Sequence, residues 1–136
     1  MAHALFGYDG PCKNIHGHTY KLTVTIRGKV ISELHHPKLG MVLDFGVISD
    51  VVKRSIIHTF DHALVLNKNS AHMDIFPVLK NEFERIVLLD QQPTCENLML
   101  AFKEILCEEM DKQHELVYLR LDETPTSYAE WLVEDN

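Results

Sequence analysis

The run HGHTYKLTVTIR, residues 16–27, constrains the fold most. Its residues alternate between two faces, with Tyr20, Leu22, Val24 and Ile26 on one and Lys21, Thr23, Thr25 and Arg27 on the other. A period of two with β-branched residues predicts a half-buried strand. In such a strand His16 and His18 point to the same side as two parallel imidazoles, and Gly17 between them leaves room for a close approach. Cys12 stands four residues ahead of His16, so CKNIHGH crowds a thiol and two imidazoles together. Hydrophobic packing has no use for that cluster, which leaves a metal site, a catalytic site, or both.

The rest of the chain supplies helices and a hairpin. Asp44 precedes Ile48, Val51, Val52 and Ile56, whose helical spacing runs to about His58, and its carboxylate suits the start of that helix. In PTCEN, Thr94 is a good N-cap and Glu96 suits the positive first turn. Leu98, Ala101, Phe102, Ile105 and Leu106 form the apolar stripe of a helix ending near Asp111 or Lys112. ELVYLRLDE and YAEWLVE alternate about a TPTS turn, which predicts a C-terminal hairpin. Residues 28–40 read as a loop and residues 71–85 as mixed structure with a helical turn near 78–84. IVLL at 86–89 reads as a brief strand. A first strand is expected ahead of His3, where the sequence leaves almost no room for one. Helices grouped between strands predict an α+β fold, an antiparallel sheet with helices on one face, in one domain spanning 1–136. By periodicity alone the other face is a solvated one; closing the sheet edges against further copies is the alternative.

A net charge of −7 with a pI near 5.6 argues against a surface built to coat nucleic acid. No apolar run reaches the roughly eighteen residues of a membrane span, and MAHALFGYDG lacks the regions of a signal peptide, so no membrane partner and a cytoplasmic location are expected. Three cysteines without a CxxC pair fit a reducing compartment, and Cys107, in an apolar helical pattern, reads as a small core residue.

Zinc is the natural occupant of His16 and His18, since three neutral imidazoles with an open position is a common catalytic arrangement for that metal. His3 is the best third ligand, because an adjacent strand can return it to the same place. Cys12 is either a fourth ligand closing a structural site or a thiolate beside an open one. Asp61 and His62 carry the ingredients of an acid–base pair, a carboxylate that can orient an imidazole. The other reading of the two is a helix end and a solvated histidine. Glu123, ahead of a turn, means little alone. His35, His36, His72 and His114 read as solvated.

Taken in order, AHAL, CKNIHGHTY, GMVLDF, FDHALVLN, PTCEN and ETPTSYAEW resemble the 6-pyruvoyl-tetrahydropterin synthase superfamily across nearly the whole chain. The C-x3-HGH spacing is similar to its bacterial 6-carboxy-tetrahydropterin synthase branch, whereas the pyruvoyl-forming branch has a longer C-x5-HGH. The resemblance implies a tunnelling fold, an antiparallel four-stranded sheet with two helices, with three copies closing a twelve-stranded barrel and two trimers stacking as a homohexamer. It implies zinc on His3, His16 and His18, Cys12 as the catalytic thiol, and Asp61 with His62 as the acid–base pair. Glu123 becomes the carboxylate that anchors a pterin, with Thr94 and Glu96 near it. The implied reaction converts 7,8-dihydroneopterin triphosphate to 6-carboxy-5,6,7,8-tetrahydropterin, acetaldehyde and triphosphate, a carbon–carbon lyase step toward queuosine. Triphosphate elimination by a pyruvoyl-forming enzyme, and a non-catalytic zinc- or pterin-binding protein, are the alternatives. Lys13, Lys21 and Arg27 are the expected basic residues for the triphosphate.

Overall fold

The computed structural model describes residues 1–135; Asn136, the last residue of the expected domain, lies outside the described residues. The predicted strand forms in two pieces, β2 (His16–Gly17) and β3 (Lys21–Arg27), with a break at residues 18–20. The pieces join different sheets. Ahead of β2 comes β1 (Ala2–His3). After β3 come β4 (Leu64–Asn67), β5 (Ile86–Leu89), β6 (Glu115–Thr124) and β7 (Ser127–Leu132). One sheet is mixed, in the order β2-β1-β4-β5, and the other is antiparallel, in the order β3-β6-β7. The structure therefore replaces the expected four-stranded antiparallel sheet with two sheets. The physical reason is β4: with Leu64, Val65 and Leu66 all buried, it pairs in parallel with both β1 and β5. A parallel strand covered on both faces reads as a continuous apolar run without alternation.

β1 does not fray. It lies between β2 and β4, with Ala2 opposite Gly17 and His3 opposite His16, and the Ala2 amide donates to the Ala63 carbonyl at 2.8 Å. A Cβ on Gly17 would sit 3.3 Å from the Met1 carbonyl oxygen, so the glycine serves the close approach its sequence position predicts.

The helices begin where their caps say. Asp44 accepts from the Gly46 amide at 2.8 Å and opens α1 (Phe45–Val52), which runs through a π-helical turn (Lys53–Ile57) into α2 (His58–Phe60). The wider turn sets the five-residue step between buried Val51 and Ile56. A short α3 (Phe76–Glu82) follows, and Thr94 accepts from the Asn97 amide to open α4 (Cys95–Glu109). Leu98, Phe102 and Leu106 of α4 are almost fully buried against Leu119 and Leu121 of β6 and Trp131 of β7, each contributing roughly 1.5–3 kcal/mol of apolar burial. Cys107 is exposed, contrary to the expectation, because it lies one residue off that stripe; Cys95 is the buried thiol.

Candidate metal centre and its cavity

Register brings the three histidines together. Pairing β1 with β2 sets His3 across from His16, and the chain leaving β2 carries His18 to the same place. Their candidate ligand nitrogens all lie within 4.8 Å of one another. The His16 and His18 rings meet edge to face at 87°, since the strand breaks after Gly17, so they are not the parallel pair that unbroken alternation predicts.

Two of the rings are locked from behind. His3 Nδ1–H donates to the Pro93 carbonyl at 2.6 Å and His16 Nδ1–H to the Asn14 carbonyl at 2.8 Å. Both Nε2 atoms are thereby left as lone-pair donors, 3.1 Å apart. Two such lone pairs repel each other unless a cation lies between them, and two nitrogens on one tetrahedral zinc sit roughly 3.3 Å apart. The second-sphere carbonyls and the spacing fit a metal ion. His3 is only 2% exposed, and that burial, reinforced by His16 and His18, holds its pKa below the ordinary imidazole range against the pull of Pro93 and Glu123. Neutral imidazole is the form that binds metal.

Glu123 stands beside the triad. It lies at a register shift between Asp122 and Thr124, one residue from the end of β6, and such a bulge re-aims a side chain. Its Oε1 is 3.7 Å from His3 Nε2 and 4.0 Å from His18 Nε2, and it accepts from the Tyr20 hydroxyl at 2.8 Å. Tyr20 and the Pro93 carbonyl were not among the residues singled out from sequence. For Tyr20 the signal was present, since it continues the 16, 18, 20 alternation, but its ring reads as core. Burial, then the bond to Glu123, pushes the Tyr20 hydroxyl pKa up, with Cys12 acting weakly in the same direction.

Cys12 sits in a 3-10 turn, Pro11–Lys13, and its carbonyl accepts from the Leu5 amide at 2.9 Å, so its loop folds back beside the strand bearing His3. Gln92 clamps that loop, accepting from the Phe6 amide at 3.2 Å and donating to the Phe6 carbonyl. Gln92 and Pro93 therefore hold both the Cys12 loop and His3.

Asp61 and His62 line, with His18 and Tyr20, a cavity of about 840 Å³. Asp61 Oδ2 lies 3.0 Å from His62 Nδ1, yet the side chains are 57% and 87% exposed. They occupy a tight turn in which the Ala63 amide donates to Phe60 and His62 takes φ +58°. A second cavity of about 810 Å³ holds His18, Glu123 and Lys21. Thr94 and Glu96 line neither cavity; Thr94 is spent on its helix cap and Glu96 is exposed. Arg27 pairs with Glu115 at the far end of β3.

An α+β fold with a partly buried imidazole triad, a neighbouring carboxylate and two cavities that both reach His18 defines a class of pocket protein suited to a metal ion and a small polar ligand. The chain belongs to the 6-pyruvoyl tetrahydropterin synthase family, whose family pattern matches residues 1–134. A 6-carboxy-5,6,7,8-tetrahydropterin synthase of Haemophilus influenzae is 35% identical over 132 residues, covering 96% of this chain and 91% of that one. The Rickettsia bellii protein of the same name is 33% identical over 130 residues, covering 94% and 90%. Among solved structures, an uncharacterized Wolinella succinogenes protein superposes with a TM-score of 0.79 at 17% identity, covering 97% and 92% of the two chains. A Caenorhabditis elegans 6-pyruvoyl tetrahydropterin synthase does so at 0.65 and 24%, covering 96% and 86%. These two likenesses concern the fold. No helix among the described residues is long and apolar enough to cross a membrane.

Proposed function

We propose that this chain is a zinc-dependent carbon–carbon lyase, converting 7,8-dihydroneopterin triphosphate to 6-carboxy-5,6,7,8-tetrahydropterin with release of acetaldehyde and triphosphate, in the cytoplasmic supply of queuosine. The observation that carries this reading is the name shared by its curated relatives, found at up to 35% identity over nearly the full chain. His3, His16 and His18 hold the zinc, which when bound supplies Lewis-acid polarisation of the substrate's side-chain hydroxyls.

The chain's own groups do the rest. Cys12 as thiolate removes a carbon-bound proton from the three-carbon side chain. Asp61 holds the His62 ring by Nδ1, leaving Nε2 to deliver or accept a proton. Glu123 takes the guanidine-like edge of the pterin through paired hydrogen bonds, which its four lone-pair sites allow beside the Tyr20 hydroxyl. Thr94 and Glu96 act near the pterin only if the ligand extends toward the start of α4. Lys21 lines the cavity with His18 and Glu123 and is the expected cation for the triphosphate there, since Arg120 in the same cavity is paired with Asp122. The assembly is a homohexamer of two trimers, in which the open edges β3 and β7 pair with neighbouring copies and close a barrel.

Incubation with dihydroneopterin triphosphate tests the reading. Mass analysis is expected to give the 6-carboxy product with one acetaldehyde per turnover; a pyruvoyl product without acetaldehyde overturns the lyase assignment. Cys12→Ala is expected to cut turnover by about 10²–10⁴-fold with zinc retained. Loss of zinc instead makes the thiol a fourth ligand.

A further inference from the structure

Tyr20 has a task that neither zinc binding nor pterin anchoring assigns. Its hydroxyl donates to Glu123 Oε1, the carboxylate oxygen that faces the triad. That oxygen stands 3.7 and 4.0 Å from two imidazole nitrogens, whereas two donors sharing one tetrahedral zinc lie roughly 3.3 Å apart. A swing of under about an ångström closes the gap. Three imidazoles and a carboxylate would then fill four positions and leave none for substrate.

Tyr20 is well braced against that swing. Its ring meets His3 and His18 edge-on, with centroids at 6.2 and 5.8 Å, and it packs on the main core. The backbone around Glu123 offers less resistance, since the carboxylate stands at a register shift one residue from a strand end. We infer that Tyr20 is a positioning residue which tethers Glu123 off the metal, keeping the ion's fourth position open and the carboxylate free for ligand. This rests on the reading that the triad holds a metal ion. The competing account is simpler: two half-buried polar groups satisfy each other, with no consequence for coordination.

Cobalt(II), which reports its ligand set in visible absorption, separates the two in the full chain. Tyr20→Phe is expected to bind cobalt at least about tenfold more tightly in chelator competition and to show a changed spectrum, because Glu123 has joined the ligands. Adding Glu123→Gln to Tyr20→Phe is expected to restore wild-type affinity and spectrum. Glu123→Gln alone is expected to leave both unchanged, an arm that stands even if Tyr20→Phe does not fold. Uptake by the wild type with an unchanged Tyr20→Phe overturns this inference alone, and so does a Glu123→Gln that loosens cobalt like a lost ligand. A wild type that takes up no cobalt overturns the metal reading and this one with it.

Discussion

The two halves of the site are built differently. The triad is anchored from behind: His3 is buried, two Nδ1 atoms are committed to backbone carbonyls, and β1 is held by a strand on each side. Asp61 and His62 hang on one turn, largely exposed, and among the described residues each has only the other as a side-chain ion partner. Placement of the imidazole triad is therefore a property of the whole fold, whereas placement of the proposed acid–base pair is a property of four consecutive residues. Preorganisation of the first kind fixes a centre to fractions of an ångström. The second kind tolerates change without harm to the fold.

Substitutions can break that contrast. The largest effect is expected from His3→Ala, which should abolish metal uptake and turnover and also lower Tm, because it leaves the Pro93 carbonyl without its partner and opens a void in a buried strand; metal analysis and a melting curve check it. Next comes His62→Ala, expected to lose about 10²-fold in turnover while metal content and Tm hold; a falling Tm would erase the distinction between the halves. Gln92→Ala should loosen the Cys12 loop, costing about 1 kcal/mol or several-fold in turnover, with zinc unchanged and faster alkylation of Cys12 as the readout. Smallest is Thr94→Ala, whose lost cap costs about 1 kcal/mol and shifts Tm by roughly 3–5 °C; a raised KM would instead bring Thr94 into the pterin pocket.

Sequence made some of this legible and hid the rest for physical reasons. Asp44 and Thr94 announced their helices because capping is local chemistry, and the hairpin of β6 and β7 followed from alternation about Pro125 and Thr126. β4 stayed hidden because a strand buried on both faces carries no alternation, and with it the mixed sheet. The convergence of the three histidines was expected from sequence, but the register of the two-residue strand that achieves it is specified by no local pattern. Tyr20 was missed because an aromatic ring in an apolar stripe looks the same whether or not its hydroxyl has work to do.

The turn at His62 has one more consequence. An imidazole-bearing residue there occupies a left-handed conformation that costs an L-amino acid about 1–2 kcal/mol and a glycine almost nothing. His62→Gly would therefore yield a sturdier molecule that lacks the proposed proton carrier. Any screen that selects this enzyme for heat resistance alone should drift toward glycine at that position and enrich survivors that no longer turn over.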